Sequence, residues 1–166
     1  MNWKFALNGS IAGAALLVAA CGSYGSGGGY GSGYGSSSSP AANPAGAPTV
    51  SLRSTPLGQI LVDGNGRTLY LFAADKSATS TCYGDCASVW PPLLTGGSPV
   101  AGSGVNQSLL GTTTRSDGSR EVVYNGHPLY YFVSDKQAGD ITGEALSSFG
   151  ADWYVLSAAG TKVDKG

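Results

Sequence analysis

Charge is scarce in this chain. Only 11% of its 166 residues are charged, and the formal net charge is −1. An ordinary soluble domain carries about 25%. Without a basic excess nothing neutralises a row of phosphates, which excludes nucleic-acid binding as a function class. Long apolar runs are missing too, since none reaches the roughly 20 residues of a spanning helix. Histidine occurs once, at His127, and methionine once, at Met1. That leaves the rest of the chain no thioether for a copper site with an axial methionine. Enzyme signatures are also missing: HExxH, C-x-x-C-H, G-x-S-x-G and S-x-x-K do not occur. What is plentiful is glycine, with 27 residues. Cysteine numbers three, an odd count that leaves one thiol without an internal partner.

The bias is regional. Before Arg53 the only charged side chain is Lys4. Residues 1–20 read as a signal peptide: Lys4 marks a short positive region, and Ile11 to Ala20 form an apolar core too short to span a bilayer. The core ends in Val18-Ala19-Ala20-Cys21, which resembles the bacterial lipobox. That resemblance implies that the Cys21 thiol takes a diacylglycerol before cleavage. It also implies that the new N-terminus is acylated. Two or more acyl chains anchor a protein stably without its spanning the membrane. Gly22, rather than Asp, follows the cysteine, which permits outer-membrane sorting in a Gram-negative cell. The expected location is thus the bacterial envelope, lipid-anchored and extracytoplasmic.

Residues 21–49 combine the lipidated Cys21 with a Gly/Ser/Tyr/Pro-rich linker. The linker has no charge and no aliphatic residue larger than alanine. It cannot bury enough area to offset its ordering entropy, so it is expected to be a disordered tether. Residues 50–160 are expected to fold, and 161–166 form a tail.

From Val50 the pattern turns strand-like. Ile60-Leu61-Val62 leads into the turn Asp63-Gly64-Asn65-Gly66, then into Arg67-Thr-Leu-Tyr-Leu-Phe-Ala. Sixty residues later Val122-Val123-Tyr124 leads into Asn125-Gly126, then His127-Pro-Leu-Tyr-Tyr-Phe-Val. Residues 65–76 and 125–136 are identical at Asn, Gly, Leu, Tyr, Phe, Asp and Lys. This is an internal duplication, with repeat 1 at about 57–95 and repeat 2 at about 117–157. A weaker echo links Gly84–Trp90 with Gly143–Phe149, and both segments suit a short helical turn. Leu109–Thr114 and Arg120–Tyr124 predict a further hairpin around Asp117-Gly118. The fold class that follows is mainly β: a small antiparallel domain of two pseudo-symmetric hairpin-containing repeats with short helical turns.

These residues carry a family resemblance. Tyr70-Leu-Phe72-Ala-Ala-Asp75 and Tyr130-Tyr-Phe132-Val-Ser-Asp135 resemble the Y-x-[FWY]-x-x-D signature of a bacterial lipoprotein family, also called the secreted repeat of unknown function. Cys82-Tyr-Gly-Asp-Cys86-Ala-Ser-Val-Trp90-Pro-Pro is similar to the family's C-x-G-x-C-A-x-x-W-P-P stretch. Gly139-Asp140-Ile-Thr-Gly143 is close to its G-D-x-x-G, although Ala138 stands where the family has proline. The resemblance covers about residues 57–157. It supports the location and the repeat unit and implies no catalytic residue.

On a strand Tyr70 and Phe72 share one face, and Leu69 and Leu71 share the other. Asp75 and Asp135 follow the strands at positions suited to fixing a turn. The alternative is a pseudo-symmetric pocket in which two carboxylates bind a cation or act as an acid/base pair. Trp90 and Trp153 suit either core packing or stacking on a sugar or porphyrin. The candidate ligand-binding set is therefore Tyr70, Asp75, Trp90, His127, Tyr130, Asp135 and Trp153. Once Cys21 is lipidated, Cys82 and Cys86 remain, and an oxidising envelope favours a disulfide between them. Thiolate metal binding by Cys82 and Cys86, with His127 added, is the alternative. The reading this supports is a tethered envelope binding or interaction module with no cofactor. Its candidate partners are the membrane, through the lipid, and a cell-wall or envelope component. A metal- or haem-handling redox protein is the alternative, and an enzyme using the Asp75/Asp135 pair is a third. No catalytic signature supports an enzyme.

Overall fold

Hairpin chemistry builds most of this domain. The computed structural model describes residues 46–164. The expected signal peptide, Cys21 and nearly all of the expected tether lie outside the described residues. Ala47 is buried, and the first strand, β1, spans Thr49–Thr55. A two-residue loop at Pro56-Leu57 returns it as β2, Gly58–Asp63, paired antiparallel with β1. Gly58, at φ 106, makes the positive-φ exit that a bulkier residue resists.

β3 (Tyr70–Phe72) follows, then a single helical turn, α1 (Asp85–Val89). Pro91 and Pro92 lie just beyond it, where a helix cannot continue. A short strand β4 (Val100–Ala101) pairs parallel with β1. The predicted third hairpin is β5 (Leu110–Thr114) with β6 (Arg120–Tyr124), in register from Leu110↔Tyr124 to Thr114↔Arg120. Asn125-Gly126 then turns β6 into β7 (His127–Pro128). Both turn residues have positive φ, 48 and 79, as a type I′ turn requires. The last hairpin joins β8 (Leu146–Ser148) to β9 (Ala151–Val155).

One expectation fails at this hairpin. Gly143–Phe149 is not a helical counterpart of α1, because its second half is strand β8. Ala145 at φ 55 breaks any helical run, and Phe149 and Gly150 at φ 55 and 89 form a tight hairpin turn. The Glu144 carboxylate accepts a bond from Val155 N at 2.7 Å, so the acid ties this segment to β9 instead of capping a helix.

The strands form three small sheets, ordered β2-β1-β4, β3-β9-β8 and β5-β6-β7. Isolated bridges tie the connecting segments to them and to each other, at Tyr70↔Tyr130, Pro92↔Tyr130 and Leu94↔Glu121. The period-2 alternation of the repeated strand divides the interior. Tyr70, Phe72, Tyr130 and Phe132 lie in one apolar cluster with Trp90 and Trp153. Leu69, Leu71 and Leu129 lie in the other with Val50, Leu61 and Leu156. Both faces of the repeated strands are therefore covered.

Candidate functional site

The two repeats interlock instead of standing side by side. Tyr70 N donates to Tyr130 O at 2.8 Å, and Tyr130 N donates to Tyr70 O at 3.0 Å. This reciprocal pair sits where β3 meets Tyr130, a bridge residue just past the end of β7. From it each phenol reaches into the other repeat. Tyr70 Oη donates to Asp135 Oδ2 and Tyr130 Oη to Asp75 Oδ2, both at 2.6 Å. The opposite oxygen of each carboxylate fixes its own loop. Asp75 Oδ1 accepts from Thr81 N and Oγ1 at 2.7 and 2.6 Å. Asp135 Oδ1 accepts from Thr142 N and Oγ1 at 3.0 and 2.6 Å. Each aspartate thus joins its own loop to the partner repeat's strand. Burial first pushes both phenols well above the usual tyrosine range, followed by Asp135 for Tyr70 and by Glu121 and then Asp75 for Tyr130, so they remain donors.

Four aromatic rings stack through this interior. Phe72 lies 4.1 Å from Trp153, Trp153 4.0 Å from Trp90, and Trp90 4.3 Å from Phe132. Tyr70 meets Trp90 edge-on and Tyr130 meets Trp153 edge-on. Here too the order is crossed: the Trp of each repeat stacks on the Phe of the other. Both tryptophans are fully buried. Their indole N–H groups donate to Ser148, Trp90 to Oγ at 3.2 Å and Trp153 to the carbonyl at 3.3 Å. No face of the stack is open to a sugar or porphyrin. Gly143 is glycine because the stack lies against it: a Cβ there would come within 2.8 Å of the Trp90 ring.

A buried ion pair backs the Tyr130 side. The Arg115 guanidinium donates to Glu121 Oε2 at 2.7 Å, to Ser80 Oγ at 2.8 Å and to the Cys82 carbonyl at 2.7 Å. Ser80 Oγ in turn hydrogen-bonds with Tyr130 Oη at 2.7 Å. Burial pushes the Glu121 carboxyl up to about 7, against the pull of Arg115. Burial also works against the Arg115 charge, but the Glu121 bond and charge more than offset it. Composition and motif gave no sign of this pair. Thr81 and Thr142 did leave a signal. Both follow the signature aspartate, but at six and seven residues, and the one-residue offset hides them from a fixed 60-residue alignment.

Cys82 and Cys86 form a disulfide. Their sulfurs are bonded to each other, so the thiolate metal set of Cys82, Cys86 and His127 is not available. Among the described residues no group of three or more His, Cys, Asp or Glu side chains is placed to hold a metal. The acid/base reading of Asp75 and Asp135 meets a similar obstacle. Both carboxylates are buried, and all four oxygens already accept bonds from Tyr and Thr.

Of the seven candidate residues, Tyr70, Trp90, Tyr130, Asp135 and Trp153 are interior. Asp75 and His127 border an open pocket of about 420 Å³. Leu71 and Phe72 line it with Lys76 and, from the C-terminal segment, Lys162. His127 reaches it because the type I′ turn at Asn125-Gly126 sets the imidazole at the start of β7. Partial burial lowers its pKa from the ordinary histidine value, and the Asp75 charge opposes that shift. The imidazole is therefore mostly neutral at pH 7, with one donor and one acceptor nitrogen.

Among curated proteins and solved structures no relative matches this chain. A family model does match it, twice, over residues 51–94 and 111–157. Its description is the secreted repeat of unknown function. The two matches cover the halves that the Tyr–Asp bonds and the crossed aromatic stack tie together, so the chain belongs to the lipoprotein family built on this secreted repeat.

Proposed function

We propose that this protein is a lipid-anchored binding module of the cell envelope. In this reading Cys21 carries the acyl chains, residues 22–45 give reach, and the duplicated domain presents a small-ligand pocket beside His127. Membership of a secreted-repeat family makes the protein extracytoplasmic. No helix among the described residues is long and apolar enough to cross a membrane. Attachment would then fall to the sequence Val18-Ala19-Ala20-Cys21. One observation carries the binding role. The signature tyrosines, aspartates and tryptophans are consumed by mutual contacts, whereas the cavity at Leu71, Phe72, Lys76 and His127 is open and lined by groups of mixed chemistry. Ligand sites have this form: a concave, largely apolar surface with a few placed polar groups.

The anchor is tested by growing producing cells with radioactive palmitate. Wild-type protein is expected to be labelled and Cys21→Ala protein unlabelled. A wild-type protein that takes up no label overturns the anchor.

A further inference from the structure

The two repeats provide an internal control for the pocket. In the alignment of residues 65–76 with 125–136, Arg67 corresponds to His127 and Leu71 to Tyr131. Arg67 with Tyr131 makes one place, and His127 with Leu71 its counterpart. At the first, Tyr131 and Asp63 border a separate open pocket of about 550 Å³ with Leu93 and Leu94, while the Arg67–Tyr131 contact itself is filled. The Arg67 guanidinium lies 4.1 Å from the Tyr131 ring centroid, and Tyr131 Oη donates to Asp63 Oδ2 at 3.0 Å. At the second, leucine replaces the tyrosine and a shorter imidazole replaces the guanidinium, and Leu71 and His127 line the 420 Å³ pocket. Both places border a pocket, and divergence of the halves sets the lining: two lysines and a histidine beside Leu71, and no lysine or histidine beside Tyr131.

The lining beside Leu71 combines an apolar wall with two ammonium groups, an imidazole and one carboxylate. Leu71 and Phe72 are core residues that present an edge to the cavity. Lys76 gives one proton to the Ala73 carbonyl at 2.7 Å and forms no ion pair among the described residues. Two of its three protons remain for a ligand. Lys162 pairs with Asp164 at 2.8 Å and lies over the Tyr154 ring. The acid in the lining, Asp75, has its oxygens engaged by Thr81 and Tyr130. His127 adds a donor at the edge.

We infer that this pocket binds a small anionic ligand with an apolar body, its acid group at Lys76 and His127 and its body against Leu71 and Phe72. The inference rests on the binding-module reading and names its ligand class. A volume of 420 Å³ is within the roughly 300–1,000 Å³ of small-molecule sites. Lys76 sits at the exposed rim, so the apolar wall at Leu71 and Phe72 must add its contact to that of the ammonium.

The test uses the intact acylated protein in phosphatidylcholine nanodiscs, with empty nanodiscs subtracted. Naphthalene-2-sulfonate is titrated calorimetrically, and naphthalene-2-methanol is its uncharged counterpart. The sulfonate is expected to saturate one site, at least tenfold more tightly than the alcohol. Leu71→Tyr, which installs the residue of the other repeat, is expected to lower sulfonate affinity at least tenfold with the near-UV circular dichroism unchanged. Lys76→Gln alters an exposed side chain and keeps the test readable should Leu71→Tyr not fold. It is expected to weaken the sulfonate several-fold and leave the alcohol unaffected. Equal affinity for the two compounds overturns the anionic class and leaves the binding module standing. Unchanged sulfonate binding in a natively folded Leu71→Tyr, or in Lys76→Gln, overturns the location. No saturable binding of either compound overturns both the ligand class and the binding-module reading.

Discussion

Tyr70 and Tyr130 hold equivalent places in the two repeats, yet their phenol oxygens are finished differently. Each donates to the aspartate of the opposite repeat at 2.6 Å. The second bond is where they part. Tyr70 Oη accepts from the backbone of Gly143 at 3.2 Å, whereas Tyr130 Oη bonds to Ser80, which is held by Arg115 and Glu121. A buried carboxylate must have its donors, so the Tyr–Asp bond is the same in both halves. A phenol oxygen that already donates needs only some donor in return, so that partner was free to vary. The surrounding loops follow suit. The first is clipped by the Cys82–Cys86 disulfide, and the second is closed by Gly143 packed on Trp90 and by Glu144 bonded to Val155. Symmetry is kept where burial demands it and lost where any of several groups suffices.

The largest effect should fall where the halves are most alike. Trp90→Ala and Trp153→Ala each remove the centre of the four-ring stack, and each should destabilise the fold by about 3–5 kcal/mol. Chemical denaturation is expected to give the two variants equal losses. A large loss for one alone would break the pseudo-symmetry of the interior.

Next comes the ion pair that only one half possesses. Arg115→Met strands a buried carboxyl group and should cost about 3 kcal/mol, whereas Arg115→Met with Glu121→Met should recover most of that loss. The same pair sets a pH dependence. The Glu121 carboxyl rises from 4.5 to about 7 on folding. Between those values the folded protein holds more protons than the unfolded chain, so stability falls as pH rises through that window. Stability curves at pH 4.5 and 7.5 are expected to show this fall in the wild type and lose much of it in Glu121→Gln.

Smaller again is the contrast between the phenols. Tyr130→Phe should cost about 2–3 kcal/mol and Tyr70→Phe about 1–2, because bonds to charged groups are worth about 1.5–3 and Tyr130 also supports Ser80. Equal losses would show that the ion-pair network adds nothing to the Tyr130–Asp75 bond. An effect of similar size to that of Tyr70→Phe, but confined to one loop, belongs to the clip. Replacing both Cys82 and Cys86 by alanine opens a short loop worth about 2 kcal/mol or less in the chain-entropy account. Hydrogen exchange is expected to rise around Ser80–Trp90 and stay unchanged around Asp135–Gly143.

Much of the fold was legible beforehand because it is local. Asn125-Gly126 dictated its turn, Asp117-Gly118 marked the β5–β6 hairpin, and alternation placed Tyr70 and Phe72 opposite Leu69 and Leu71. The misreading at Gly143–Phe149 has the same origin. An acid followed by small residues suits a first helical turn, but the Glu144 carboxylate found Val155 N, a partner eleven residues away. Arg115 and Glu121 left no trace because a charge on a strand or just past its end usually faces water. Only packing shows that these two face each other.

Sequence by itself determined the duplication, the strand periodicity and the hairpin turns. Each depends on residues adjacent or periodic in the chain. Tertiary structure alone decided that each repeat completes the other, Tyr70 with Asp135 and Tyr130 with Asp75. It also decided that the signature residues lie inside and that the open pocket forms where Leu71 meets His127. Those outcomes depend on which half lies against which. Two matching motifs have the same local preferences however they pair, so only the packed structure distinguishes one pairing from the other.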